Sequence, residues 1–409
     1  MKIGYLMQQG VNIRQRPFDG PGNHVRQVIE ELKHLGHEVR VLLNLDGQIM
    51  KTDNLEDFET VSVRWMSKGP LRVFERGARR IQYELKLPYL GLFESLRFAL
   101  ACYQELSGCD LLYERISWLG YGGGWAANWL KIPLVLEENG DQLADLEARG
   151  IAPRGIQKQV TLNLMHRAMK RASYVVATGD GWRAHFIKRW NYNQDRIITV
   201  ENGTEIVRLL NRAQLRSFQM VDSSDQSTTI VYLGGFYAWH GVSVLLSTLA
   251  RAIEQGVKLK VVLIGSGYGE DEARKLASDL KINDFVTFTG RLSVADFAPI
   301  MANADIGVAP YCGWKEFSGL KLLDYKAAGL AVIASGKDGQ PSCLKHGQTG
   351  WIVPPCDEEA LLNAIIHLSK EVELRRQMGQ TARFEAESCH GWDHTAQHLD
   401  HLFTRIVEK

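Results

Sequence analysis

The segment Glu316-Phe-Ser-Gly-Leu-Lys-Leu-Leu-Asp-Tyr-Lys-Ala-Ala-Gly-Leu-Ala-Val-Ile-Ala-Ser335 gathers two carboxylates, a lysine and several small residues around one expected helix start. An apolar run, Ile306–Ala309, ends at Pro310, and helical periodicity begins near Ser318 or Gly319. Small residues at that point leave the first backbone N–H groups open, and a helix N-terminus with open amides attracts phosphate. Lys321 falls in the first turn, where a cation opposes the helix dipole, so an anionic ligand would account for it. Glu316 and Asp324 bracket the turn and could accept hydrogen bonds from sugar hydroxyls. On the residues alone, an ordinary capped helix with surface charges competes equally with this account.

Three further stretches carry candidate chemistry. Asp19-Gly-Pro-Gly-Asn-His24 follows the first apolar run, and its Gly20 and Gly22 let backbone approach a ligand beside a helix start. The stretch is not a Gly-x-Gly-x-x-Gly dinucleotide fingerprint, which argues against an oxidoreductase. Leu134-Val-Leu-Glu-Glu-Asn-Gly-Asp141 ends a strand in carboxylates and an amide; a solvated loop is the alternative. His390, His394, His398 and His401 recur at helical spacing, opposite a stripe of Trp392, Leu399 and Phe403. They read as a solvated face rather than a metal site. No Asp-x-Asp ends a strand, so no metal is required.

The elements that must position these groups follow one rhythm. Short Val/Ile/Leu-rich runs alternate with stretches of helical period, which argues for parallel sheets covered by helices. Strands are expected at Ile3–Met7, Glu38–Leu43, Leu111–Glu114, Leu134–Glu137, Tyr174–Thr178 and Ile197–Val200. After a polar segment, Ser217–Thr229, read as linker, the pattern restarts at Ile230–Leu233, Leu259–Ile264, Val286–Phe288, Ile306–Ala309 and Ala331–Ala334. Helices are expected between the strands, among them His24–Leu35, Val242–Glu254 and Gly319–Ala328, and a last one over Trp392–Ile406. Two doubly wound halves result, with ligands expected outside the carboxyl ends of the strands, in a cleft between domains. A length of 409 residues suits two cores.

Composition narrows the function. Lys+Arg at 48 against Asp+Glu at 47 gives no basic excess, which disfavours nucleic acid. Six scattered cysteines without a Cys-x-x-Cys pair fit a reduced compartment better than a disulfide framework. No apolar run spans a bilayer, and the N-terminus lacks signal-peptide character. The expectation is a cytoplasmic protein. The stretch Arg72–Lys86, basic residues among Phe74, Ile81 and Tyr83, leaves open a peripheral contact with the inner membrane face, a solvated helix being favoured.

Glu316–Ser335 resembles the Glu-x7-Glu signature of retaining glycosyltransferase family 4, the group 1 glycosyltransferases of GT-B fold. The resemblance implies two Rossmann-like doubly wound domains facing each other across a cleft. Residues 1–212 would form the acceptor-side domain, with a C-terminal helix at about 388–409 crossing back onto it, and residues 226–387 the nucleotide-sugar-binding domain. Glu316 would hold the donor sugar, Asp324 (in place of the usual Glu) the ribose, and Ser318 with the Gly319 and Leu320 amides the diphosphate. Val231–Leu246 is similar to the family's Gly-Arg-Leu-x3-Lys-Gly pattern, with Gly235 at the Arg position and His240 at the Lys position. Lys321 and His240 would then stabilise the leaving diphosphate, His240 as a neutral donor or a cation, with helix capping as its alternative. Gly20 and Gly22 match the donor-side glycine loop, and Arg291, after another strand, a place near the nucleotide base. His24, Glu137 and Asn139 would line the acceptor and sugar pocket; Tyr113-Glu-Arg115 reads as a structural ion pair. Asn202-Gly203 resembles the junction between domains.

The implied reaction moves a sugar, with retained configuration and without a metal or other cofactor, from a nucleotide diphospho-sugar such as a UDP- or GDP-sugar. The acceptor would be a glycan, a lipid-linked or a small molecule. A sugar-nucleotide epimerase of the same fold and a non-catalytic glycan-binding or regulatory member are the alternatives.

Overall fold

The computed structural model describes residues 1–8, 13, 20–63, 70–84, 89–148, 150, 152–219, 227–312, 319–337 and 341–408. Glu316 and Ser318 lie outside the described residues. The chain divides into two compact units, Met1–Glu201 with Ala396–Lys409, and Asn202–Thr395.

The first unit holds eight strands: β1 (Lys2–Met7), β2 (Glu38–Leu45), β3 (Gln48–Thr52), β4 (Glu59–Thr60), β5 (Leu111–Arg115), β6 (Leu134–Glu138), β7 (Tyr174–Ala177) and β8 (Ile197–Thr199). Their order is β4-β3-β2-β1-β5-β6-β7-β8. The run from β2 through β8 is parallel, as expected of strands buried on both faces. The edge is not: β2, β3 and β4 form an antiparallel meander. Asp46 and Gly47 make its first turn with φ of 51° and 79°, the left-handed pair that a two-residue hairpin needs. Helices of this unit are α1 (Gly20–His34), α2 (Pro70–Glu84), α3 (Leu92–Glu105), α4 (Gly122–Leu130), α5 (Gln142–Ala148), α6 (Gly155–Met169) and α7 (Asp180–Trp190).

The second unit is a wholly parallel sheet in the order β11-β10-β9-β12-β13-β14. Its strands are β9 (Thr228–Leu233), β10 (Leu259–Ile264), β11 (Val286–Gly290), β12 (Ile306–Ala309), β13 (Ala331–Ser335) and β14 (Trp351–Val353). Thr228 and Thr229, read above as linker, are therefore strand. Alternation along β9 sends Ile230 and Tyr232 into one apolar layer and Val231 into the other. Helices α8 (Ile206–Leu209), α9 (Val242–Glu254), α10 (Glu270–Asp279), α11 (Val294–Ala302), α12 (Leu320–Ala327), α13 (Glu358–Lys370) and α14 (Val372–Cys389) cover it.

The last helix, α15 (Trp392–Val407), buries the predicted stripe: Trp392, Ala396 and Leu399 are 1% exposed and Phe403 fully buried. In the first unit the Phe403 ring meets Tyr113 edge-on at 5.2 Å. His398 and His401 are exposed, but His390 is not on the solvated face assigned above. It precedes the helix, is buried, and its Nε2 lies 2.9 Å from Lys326 Nζ.

Two of the scattered cysteines nonetheless come together. Cys312 and Cys356, 44 residues apart, are joined as a disulfide across the loops after β12 and β14, with Cα atoms 4.8 Å apart. Only the sheet order brings these loops together, so spacing along the chain carried no sign of it. Titration of the denatured protein without reductant should find four free thiols (Cys102, Cys109, Cys343, Cys389) and six after reduction. Six in both would show the pair to be unbridged.

Candidate active site

In the second sheet, strand order reverses between β9 and β12, the position at which open α/β sheets form a ligand crevice. The two strands pair only at Ile306/Ile230 and Gly307/Val231 and part beyond them. Tyr325 of α12 fills the opening: its hydroxyl accepts from Leu233 N–H at 2.7 Å and donates to Val308 C=O at 3.1 Å. The ring is fully buried, and burial keeps the phenol protonated by pushing its pKa up. Helix α12 is thereby bound at mid-length to the carboxyl ends of both strands.

The N-terminus of α12 starts at Gly319, whose φ of 62° is left-handed. The Gly319 carbonyl receives Leu322 and Leu323 N–H at 2.8 and 3.0 Å, so the amides of Gly319 and Leu320 precede the helical ladder. At the other end, Arg383 donates to the Ala327 carbonyl and, at 2.6 Å, to the Leu210 carbonyl, placing a cation where the dipole favours one.

Lys321 lies one turn before Tyr325. Its ammonium is 4.6 Å from the centre of the Tyr311 ring and 5.1 Å from that of Tyr232, within cation–π range of both. The loop after β9 closes around it: Gly241 takes φ 68° where a Cβ would lie 1.7 Å from the Pro310 carbonyl oxygen, which only glycine permits.

His240 stands in this loop as a neutral ring. Its Nδ1 is 2.7 Å from the Gly235 carbonyl, which can only accept, so Nδ1 carries the proton and Nε2 the lone pair. Burial and the nearby Lys321 charge lower its pKa to about 3, against the Gly235 hydrogen bond. In the unliganded protein the ring's one proton is thus engaged with the Gly235 carbonyl, and the lowered pKa favours the neutral of the two forms considered above. Gly235, at the family's arginine position, has no room for a side chain: a Cβ would sit 2.4 Å from the Tyr237 ring, which stacks on Trp239. Arg291 is exposed and donates to Ser266 Oγ at 2.7 Å.

Asp324 is half-buried and accepts from Thr204 Oγ1 at 2.7 Å. Burial pushes its carboxyl up to about 7, opposed by the Thr204 hydrogen bond and reinforced by Glu205.

The first sheet reverses between β1 and β5. Gln8, just past β1, bridges that point, accepting from Gly122 N–H at 2.8 Å and donating to Ser95 Oγ at 2.7 Å. Gly20 and Gly22 belong to the first turn of α1 rather than to a loop ahead of it. His24, on the same helix, meets Glu137 at the end of β6, Nε2 to Oε1 2.8 Å, both nearly fully buried. Glu137 also accepts from Tyr113, from Tyr5 at 3.3 Å and from Asn139 Nδ2 at 2.9 Å. Burial would raise its pKa, but His24, Arg115 and Tyr113 together hold it down to about 2. Thus His24, Glu137 and Asn139 do come together, His24 and Glu137 buried and Asn139 half-buried. Arg115 pairs with Glu137 at 3.8 Å, not with its neighbour Glu114. Glu114 points to the other face of the sheet, where burial pushes its carboxyl up to about 8.

Comparison with known proteins follows the same division of the chain. The model of the glycosyl transferases group 1 matches residues 214–384, and that of the glycosyl transferase 4-like domain residues 19–203. Phosphatidyl-myo-inositol mannosyltransferase of Mycolicibacterium smegmatis is 24% identical over 92% of this chain and 88% of its own. D-inositol 3-phosphate glycosyltransferase of Saccharomonospora viridis is 23% identical over 97% and 93%. The solved structure of Anabaena Alr3699/HepE in complex with UDP-glucose superposes with a TM-score of 0.68 at 16% identity, covering 99% of this chain and 100% of that one. The fold is that of GT-B glycosyltransferases. Within that class the chain belongs to the group 1 glycosyltransferases, family 4.

Two outcomes test this geometry. Tyr325→Phe strands Leu233 N–H in the crevice, and urea unfolding should show a loss of about 1–3 kcal/mol; an unchanged midpoint would remove Tyr325 from its bridging role. The depressed Glu137 pKa gives stability present in full above the unfolded carboxyl value of 4.5 and lost as pH falls towards about 2. In Glu137→Gln, the drop in urea midpoint between pH 5 and pH 2.5 should therefore be smaller than in wild type.

Proposed function

We propose that this glycosyltransferase moves a sugar, with retention, from a nucleotide diphospho-sugar to a glycan, lipid-linked or small-molecule acceptor. The observation that carries the reading is the start of α12: the Gly319 and Leu320 amides, the Lys321 ammonium and the helix dipole meet at the switch point of a parallel sheet. Preorganised donors of this kind stabilise the charge that grows on a leaving diphosphate. In this reading Lys321 is the cation of the site, Glu316 positions the sugar hydroxyls and Asp324 the ribose. Retention then lets the departing phosphate take the acceptor proton, with no metal required. The relatives named as mannosyl- and glycosyltransferases, and a fold neighbour that binds UDP-glucose, support the choice of donor class.

His24, Glu137 and Asn139 belong to the acceptor side, with Glu137 holding the His24 ring rather than meeting substrate. We place the enzyme in the cytoplasm. No helix among the described residues is long and apolar enough to cross a membrane. Helix α2 offers a peripheral contact, with Phe74 and Tyr83 66% and 86% exposed. Its Arg79 and Arg80 are paired with Glu75 and Glu84, so apolar insertion rather than charge would carry such a contact.

A panel of UDP-, GDP- and ADP-sugars, with and without glycan or lipid acceptors, separates the readings. Transfer with a retained anomer supports this one, an acceptor-free isomer an epimerase, and absence of donor binding a non-catalytic member. Lys321→Met should lower kcat/KM by about 10²–10³-fold, and Glu316→Ala should abolish transfer with the fold intact by circular dichroism. EDTA should leave the rate unchanged; a loss restored by a divalent cation would overturn the metal-free mechanism.

A further inference from the structure

The donor-site carboxylate is not held by its own helix. Thr204 lies near the start of the second unit, which begins at Asn202, and is 2% exposed. Its backbone N–H donates to the His390 carbonyl at 2.8 Å, and it forms a parallel bridge with Gly391. The residue before it is pressed onto the same segment: a Cβ on Gly203 would lie 2.5 Å from Trp392 N. Thr204 therefore cannot shift without moving the 390–392 segment.

Its hydroxyl is equally constrained. Oγ1 accepts the Ile206 N–H at 3.1 Å, which leaves its single proton to be donated, and the acceptor is Asp324 Oδ1 at 2.7 Å. A β-branched side chain on a fixed backbone has few rotamers, so the direction of that donation is set. Asp324 Oδ2 makes no hydrogen bond with a described residue, and the carboxylate keeps accessible surface. Two residues on, Lys326 closes the circuit from the same helix: fully buried, its Nζ reaches His390 Nε2 at 2.9 Å and donates to the Cys343 carbonyl at 2.7 Å. Asp324, Thr204, the 390 segment and Lys326 form a closed ring of polar contacts around α12.

We infer that Thr204 is a positioning residue for nucleotide recognition: its hydroxyl occupies one oxygen of Asp324 and fixes the other towards the ribose hydroxyls. The inference rests on the assignment of Asp324 to the ribose. It explains how an aspartate serves where the family pattern has glutamate. The shorter side chain has one torsion fewer and is aimed by a hydroxyl from another segment instead of by its own reach. A neutral partner suits this task, since an ion pair would compete with the ribose for the carboxylate.

The test compares binding of a ribonucleoside diphosphate with its 2′-deoxy and 3′-deoxy analogues, using UDP, GDP or ADP, whichever binds the wild-type protein most tightly. Wild type should prefer the ribonucleotide by about tenfold, the order expected for one lost hydrogen bond. Thr204→Val, which keeps shape without the hydroxyl, should reduce that preference to less than about threefold and raise the donor KM with kcat little changed, the signature of lost ground-state and transition-state binding together. Thr204→Ser should restore the preference. A general loss of packing would weaken all analogues alike and leave the ratio untouched, which would overturn the inference. Asp324→Asn separates the two levels. If it abolishes the ribose preference while Thr204→Val keeps it, the positioning role fails and the ribose assignment stands. If it leaves the preference intact, or if no nucleoside diphosphate binds wild type, the assignment and the inference both fail.

Discussion

A single phenol holds the second unit's crevice in shape. Parallel strands at a switch point diverge, and their last N–H and C=O groups lose their ladder partners. An unpaired backbone group in a buried place costs as much as a lost hydrogen bond. Tyr325 answers both needs at once, accepting from Leu233 and donating to Val308. The same two bonds seat α12, so that the start of that helix and Lys321 face the gap. Gly307 makes the approach possible, since a Cβ there would lie 2.5 Å from the Tyr325 ring. Strand separation and the placement of the start of α12 are therefore one packing decision.

The charge of the site follows from what surrounds each candidate. His240 is half-buried close to Lys321, and two cations cannot both be desolvated there cheaply. The ring yields: it spends its one proton on the Gly235 carbonyl and stays neutral. Lys321 lies against two aromatic faces, which favour a cation there. Glu137 in the first unit shows the opposite outcome. There a carboxylate survives burial because His24, Arg115, Tyr113 and Tyr5 all favour its ionised form.

Much of the fold was legible because buried parallel strands are short continuous apolar runs, as at Leu134–Glu138 and Ile306–Ala309. The elements missed were those without that mark: the antiparallel edge strands β3 and β4, and the three-residue β14. The Asp46-Gly47 pair was the available signal for the first of these. At the site, the pattern around Lys321 and Asp324 could be read because it lies on one helix. Thr204, Arg383 and Lys326 could not, because each acts across 50 or more residues of chain on a backbone carbonyl or a side chain of another segment. Neither could the tautomer of His240, which depends on where one carbonyl points.

The tyrosine lying over Gly235 has a consequence for descent. Its ring fills the volume that an arginine at 235 would need, and it is itself stacked on Trp239 and tilted against Tyr268. An arginine could enter this position only if the Tyr237 ring moved aside and gave up its stack on Trp239. A line of descent that acquires the arginine therefore has to accommodate a change at position 237 as well as at 235.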